Sequence, residues 1–259
     1  MSDPYPQISY SATTWMTDNY SQLASKQLSE IVFFGTHDSG MSELHGTKVN
    51  IAAQGACTQT QTLTIGDQIT VAGARYLDIR PAYYEADALS DVSSGYYAAH
   101  WSTFGANSWV GLIGRSLDNI CQDLATAMSS IGKGEVVLLE VSHSKYLPEG
   151  LFAEALSADQ QQAVISQLLT TLGDYAFKWQ GSNTPPLDFL SQKLSDVISD
   201  PTSSGPVAFL WDSDGAFASC GYGPADGYFT KLNLDYYNSW GDADTSDPTT
   251  LINDLTSSL

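Results

Sequence analysis

Positive charge is scarce in this chain: 10 lysines and arginines stand against 29 aspartates and glutamates, a formal net charge of −19. A surface of that sign gives no broad electrostatic grip on nucleic acid or on an anionic membrane. Cysteine is sparse as well. Cys57, Cys121 and Cys220 are odd in number and widely spaced, so at most one bridge forms within the chain and no zinc-ligand spacing is present. No segment approaches the ~20 apolar residues of a membrane span. The opening Met1-Ser2-Asp3-Pro4-Tyr5-Pro6 lacks the basic region and apolar stretch of an export signal. Low lysine with abundant Thr, Ser, Asn and Tyr nevertheless points to an exported, secreted protein; a soluble cytoplasmic one is the other reading.

With 42% hydrophobic and 15% charged residues and no low-complexity tract, the composition is that of a folded globular chain. Its 259 residues suit one large α/β domain spanning 1–259. Ile31-Val32-Phe33-Phe34, bounded by Gly35, reads as a strand buried on both faces. Ile65 to Ala72 reads as a short helix closed by Gly73, and Ala74 to Ile79 as a second strand delivering Arg80 and Pro81 to its end. Tyr96 to Trp101 reads as a third strand. Leu117, Ile120, Leu124, Met128 and Ile131 form one helical stripe, and Val136 to Val141 is the strongest buried-strand signal. Ser157 caps a helix carrying Val164, Ile165, Leu168, Leu169 and Leu172 on one face. A further helix is expected from Leu187 to about Ile198, strands at Val207–Trp211 and Tyr228–Leu234, and a last helix from Thr249. Strands alternating with helices, and polar residues at several strand exits, predict a (β/α) barrel. The count falls short of eight, so either further strands lie in the loops or the barrel is incomplete at the C-terminus.

Three of the four histidines, His37, His100 and His143, stand at predicted strand exits. If those strands are parallel neighbours, His37 and His100 open onto one rim with Asp38, Asp78, Arg80 and Glu140. Two imidazoles, a guanidinium and several carboxylates are the parts needed for acid–base attack on a phosphodiester. Arginine occurs three times, and Arg75 and Arg80 lie close together, a placement that invites a functional role. Asp78 and Arg80, two apart on a strand, share a face and suit either a mutual salt bridge or a joint catalytic role. Glu140 and His143 are balanced between structural and substrate-binding roles. His45 lies in a loop and is given none. Trp101, Trp109, Trp211, Tyr236, Tyr237 and Trp240 adjoin strand ends, where aromatics contact a lipid or sugar ring or simply pack; Trp211 and Tyr236 are the substrate-binding candidates among them.

Leu28 to Ser39, an apolar run entering Gly35-Thr36-His37-Asp38-Ser39, resembles the opening of the phospholipase C catalytic X domain. Ile65 to Pro81, with Arg75-Tyr76-Leu77-Asp78-Ile79-Arg80, is similar to the second block of that family, His100 to its second histidine, and Glu135 to His143 to its following strand. The blocks come in order across about residues 15 to 145. The resemblance implies a distorted TIM-type barrel and a two-step cleavage of phosphatidylinositol or a related phosphodiester through a cyclic phosphate. In that scheme His37 is the general base, His100 the general acid, and Arg80 neutralises phosphoryl charge with support from Asp38. Asp78 orients His100. An arginine at Arg80 resembles the metal-independent bacterial branch, so no cofactor or metal is expected. Calcium (Ca2+) held by Asp38, Asp78 and Glu140 is the alternative if Arg80 points elsewhere. The family's late-strand aspartate has no evident counterpart, and the second half lacks an evident basic pocket for inositol. Competing readings are a metal-dependent glycerophosphodiester or sphingomyelin phosphodiesterase, and a non-catalytic sugar- or phosphate-binding barrel or part of a larger assembly. The expected partner is a phospholipid or phosphodiester, with a transient membrane surface and no nucleic acid.

Overall fold

The computed structural model describes residues 10–47, 58–88, 90–104, 108–148, 153–179 and 189–230. Ten strands occur among them: β1 Gly35–Thr36, β2 His45–Thr47, β3 Tyr76–Ile79, β4 Pro81–Tyr84, β5 Gly95–Phe104, β6 Ser108–Ser116, β7 Val136–Val141, β8 Lys145–Leu147, β9 Val207–Asp212 and β10 Tyr228–Thr230. They form two sheets. The first, in the order β1-β3-β7-β9-β10, is parallel throughout. The second, in the order β2-β6-β5-β4-β8, is antiparallel except between β4 and β8.

A parallel sheet needs cover on both faces, and period 2 along its strands supplies it. Leu77, Ile79, Val137, Leu139, Val141, Ala208 and Leu210 share a core with the helices Ile65–Thr70, Leu117–Ser130 and Ala158–Leu172. Val136, Leu138, Phe209, Trp211 and Phe229 point the other way, into a core with Met16, Leu28, Ile31, Leu190, Leu194 and Ile198. The helices start where their capping residues stand. Thr64 accepts from the Asp67 amide, Ser116 from Asn119, and Ser157 and Gln160 form a reciprocal capping box. Gly73 takes φ +77 after the first of them, where a β-carbon would meet the Tyr10 hydroxyl at 2.4 Å.

The structure is thus α/β with a helix-flanked parallel sheet, but among the described residues the sheet does not close into a barrel. Several expectations change in detail. Ile31–Phe34 is not buried on both faces: Val32 is 88% and Phe34 53% exposed, Ile31 and the half-buried Phe33 pack on the second core, and pairing begins at Gly35. Apolarity marked the run, but every second side chain turns out to solvent before β1 starts. Tyr96–Trp101 belongs to β5, which is longer than expected and runs antiparallel in the second sheet, so His100 comes from mid-strand and not from a parallel strand exit. The helix expected from Leu187 is represented by two short pieces, Phe189–Ser191 and Leu194–Val197. The strand from Tyr228 begins as expected; its remainder, the helix from Thr249 and Tyr236 lie outside the described residues. No helix among those residues is long and apolar enough to cross a membrane.

The second sheet grows out of the first. β3 passes into β4 with only Arg80 between them, and β7 passes into β8 through Ser142, His143 and Ser144. Both junctions lie at the carboxyl ends of parallel strands, where α/β folds place reactive groups. The β5–β6 hairpin, paired to β4, stands over that end and carries His100 toward it.

Candidate active site

The Gly35-to-Gly40 segment is built by hydrogen bonds that leave its histidine at the surface and its aspartate inside. Asp38 takes φ +47, an unusual conformation for a residue with a β-carbon. It is held there by the Asp38 amide donating to Asp78 Oδ2 at 3.1 Å and by Thr60 Oγ1 donating to the Asp38 carbonyl at 2.9 Å. Ser39 Oγ donates to the Thr36 carbonyl and accepts from the Asp78 amide, while the Ser39 amide donates to the Asp78 carbonyl. Gln68 from the first helix donates to the Ser39 carbonyl, and Gln61 to that of His37. Gly40 is there for proximity: a β-carbon would stand 2.3 Å from that of Ala98. Glycine therefore lets the segment lie directly against β5, two residues from His100.

This packing brings His37, His100, Arg80, Asp78 and Asp38 together. The His37 and His100 rings stand 6.1 Å apart at 88°. Asp78 Oδ2 receives Arg80 Nε and Nη2, each at 2.9 Å, and lies 3.3 Å from His37 Nδ1; Oδ1 accepts from Ser142 Oγ at 3.1 Å. Burial opposes ionisation of Asp78, but the bonds from His37 and Arg80 and the Arg80 charge outweigh it. The carboxyl is held well below its ordinary range. Arg80 Nη2 also lies 3.2 Å from His37 Nδ1. Despite burial, Arg80 is held even more firmly charged, by Asp78 first and then by Asp38 and Glu140.

Asp38 is completely buried, and among the described residues neither of its carboxyl oxygens accepts a hydrogen bond. Burial, against the Arg80 charge and aided by Asp78, raises its pKa well above the usual carboxylate value. Its Oδ2 lies 3.8 Å from His100 Nδ1. That nitrogen also faces the Thr58 carbonyl at 3.2 Å, which can only accept, so Nδ1 carries a proton and Nε2 is the nitrogen that titrates. Burial draws His100 below the ordinary imidazole value; the Thr58 contact resists this, and the Arg80 charge and His37 add to it. The carboxylate at His100 is thus Asp38. Asp78, expected to orient His100, instead binds Arg80 and faces His37, because Arg80 folds back onto it.

The other expected contacts divide. Glu140, paired in register with Asp78, is 4% exposed; its carboxylate is engaged by Tyr76 and Ser213, and burial raises its pKa. His143 is half exposed at the rim with φ +51. Trp211 is fully buried against Tyr76 on the inner face, which removes it as a substrate contact. Its place in register with Glu140 puts it one layer below the mouth. Arg75 is not part of the site. It is fully buried toward the other end of β3, where Nε and Nη2 both bind Glu135 Oε2 at 3.0 and 2.8 Å. Among the described residues no group of three or more His, Cys, Asp or Glu is arranged to hold a metal ion. Arg80, which the calcium alternative has pointing elsewhere, lies against Asp78. Thr58, Gln61 and Asp214 were missed, and Gln68 was read only as part of the block that resembles the family's helix. Asp214 left a signal, in Asp212-Ser213-Asp214-Gly215 at the exit of β9.

Fold and cluster together define an α/β protein with two histidines, an arginine and two carboxylates converging where its parallel strands end. No family model and no curated protein matches the chain. A solved structure concerning the modulation of membrane binding by S. aureus phosphatidylinositol-specific phospholipase C is 20% identical to it, with a TM-score of 0.43. The overlap covers 79% of this chain and 54% of that one, so the chain spans about half the length of the protein it matches.

Proposed function

We propose that the chain is a phosphodiesterase of the phospholipase C type, working by histidine general acid–base catalysis without a metal. The observation that carries this reading is the pair of imidazoles 6.1 Å apart, each beside a different carboxylate, with Arg80 on Asp78 and 3.2 Å from His37 Nδ1. A phosphodiester seated against Arg80 has one face toward each ring. His37, whose Nδ1 faces Asp78 Oδ2 at 3.3 Å and Arg80 Nη2 at 3.2 Å, presents Nε2 as the base that takes the proton from an attacking hydroxyl. An adjacent ring hydroxyl as nucleophile gives a cyclic phosphate. His100 Nε2 then protonates the leaving alcohol oxygen. Burial pushes Asp38 up and draws His100 down; with Asp38 Oδ2 3.8 Å from His100 Nδ1, the carboxylate form of Asp38 favours the protonated ring that the acid step needs. Arg80, held charged by Asp78, offsets the negative charge that grows on the non-bridging oxygens. The substrate class that fits the resemblance of the motifs is phosphatidylinositol or a related phosphodiester, met transiently at a membrane surface.

The test is release of diacylglycerol and cyclic phosphate from phosphatidylinositol, with phosphatidylcholine as control, in the presence and absence of EDTA. Wild type is expected to keep its turnover in EDTA, and His37→Ala and His100→Ala each to lose at least ~100-fold. Activity abolished by EDTA and restored by calcium would remove the Arg80 role. Near-wild-type activity in either histidine variant would remove the acid–base assignment.

A further inference from the structure

We propose that His143 and Ser142 are positioning residues, forming a hydrogen-bond relay that runs from the exposed rim of the site to Asp78 and so sets the orientation of His37. The inference rests on the acid–base reading of the site given above. The relay is continuous. His143 Nδ1 lies 2.8 Å from Ser142 Oγ, Ser142 Oγ donates to Asp78 Oδ1 at 3.1 Å, and Asp78 Oδ2 faces His37 Nδ1 at 3.3 Å. Its polarity follows from the chemistry of its members. An ionised carboxylate only accepts, so the Ser142 proton goes to Asp78. Ser142 then offers a lone pair, and His143 fills it with Nδ1–H. Chains of this kind polarise one another, so a change at the outer end reaches the inner one.

The cost of placing His143 argues that its side chain has a use. With φ +51 it occupies a region that glycine takes freely and that side-chain-bearing residues rarely adopt. Three elements hold it there: Asp214, beyond β9, accepts its backbone N–H at 2.7 Å; Trp101 on β5 donates its indole N–H to the His143 carbonyl at 3.2 Å; and β7 ends at Val141, two residues before it. Ser142 itself is 1% exposed, so it is a bridge and not a nucleophile open to substrate.

The two ring nitrogens can be separated by substitution. An asparagine amide nitrogen falls where Nδ1 stands and a glutamine amide nitrogen where Nε2 stands. The relay therefore expects Ser142→Ala and His143→Gln to lower kcat about tenfold, with KM changed by less than roughly twofold, as when a positioning contact is lost. It expects His143→Asn to recover most of that loss. The double variant Ser142→Ala/His143→Gln should be no slower than Ser142→Ala, because both break one chain. His143→Gly fits the backbone, so it should fold with an unchanged or higher Tm and still lose kcat. Independent multiplication of the single effects, an active Gln beside an inactive Asn variant, or full kcat in His143→Gly would each overturn the relay. The underlying reading fails separately, through a wild type that turns over no phosphodiester or a His37→Ala as fast as wild type. In that event the relay is read without substrate, from the carbethoxylation rate of His37 by diethyl pyrocarbonate followed by peptide mass spectrometry. Ser142→Ala and His143→Gln should raise that rate at least about threefold by leaving Asp78 a stronger acceptor for His37, and His143→Asn should match wild type. Equal rates in all four proteins would overturn it.

Discussion

At Asp38 the site carries a fully buried carboxyl group, neither oxygen of which accepts a hydrogen bond from the described residues. Burial raises its folded pKa above the unfolded value of ~3.9. By linkage, its contribution to stability is greatest below the unfolded value and is lost as pH rises through the folded one. Asp38→Asn removes that loss. The variant should therefore unfold at a higher denaturant concentration than wild type at pH 7 to 8, and the gap should close as the pH falls toward 4. Turnover should drop at the same time, by roughly tenfold or more, because His100 loses the carboxylate that favours its protonated ring. A variant less stable than wild type at pH 8 would mean that Asp38 is charged and well compensated. Asp78 has the opposite sign: its folded pKa is depressed, so its stabilising contribution is present above ~3.9 and is lost on further acidification. Arg80→Lys keeps a charge but not the two-nitrogen grip on Asp78 Oδ2, and a fall in kcat of about tenfold or more is expected in the same assay.

At the scale of elements, catalytic geometry depends on how closely the β5–β6 hairpin can lie against the His37 segment. Gly111 on β6 faces the His100 carbonyl, and a β-carbon there would stand 2.2 Å from that oxygen and 2.6 Å from the Trp101 α-carbon. These are backbone contacts that no side-chain rotation relieves. Gly111→Ala should consequently displace β5 at His100 and cut turnover by about 100-fold, since a shift near 1 Å at a reacting group costs that much. Retained activity would show that the hairpin is free to adjust. The same hairpin marks the limit of what the amino-acid order reveals. Tyr96 to Trp101 is a short aromatic-rich run that fits a strand of either direction, and nothing local states that β5 pairs antiparallel with β4 and not with the parallel sheet. His37, Asp78 and Arg80 were legible because each lies in or shortly after an apolar run, Ile31–Phe34 or Tyr76–Ile79. The assignment of Asp38 to His100 was not, since it depends on φ +47 at one residue, while the Asp78–Arg80 pair was one of two open readings and the way the guanidinium folds back decides it. Burial of Trp211 was hidden for a related reason: a residue beside a strand exit reads as rim until the register with Glu140 places it beneath.

Across the whole molecule, two charge arrangements act on different terms. Arg75 and Glu135 form a fully buried pair that ties β3, β7 and the N-terminal segment together, with Arg75 donating to the Ala12 carbonyl and Thr17 to Glu135 Oε1. Removing one partner leaves the other charge stranded, so Arg75→Ala should lower unfolding free energy by about 3–5 kcal/mol in chemical denaturation. The site should stay intact in whatever fraction remains folded. The net charge of −19 acts instead on approach to substrate. Phosphatidylinositol vesicles are anionic, so at low salt the protein and its interface repel each other. The screening length falls from ~30 Å at about 0.01 M salt to ~8 Å at about 0.15 M. Turnover on such vesicles should therefore rise, by roughly threefold, over that range, while turnover of a soluble uncharged-tail phosphodiester stays nearly flat. A rate on vesicles that instead falls with salt would mean that a local basic face outweighs the global charge. Adsorption would then be electrostatic, although the composition argues that it must rest on apolar and aromatic contacts.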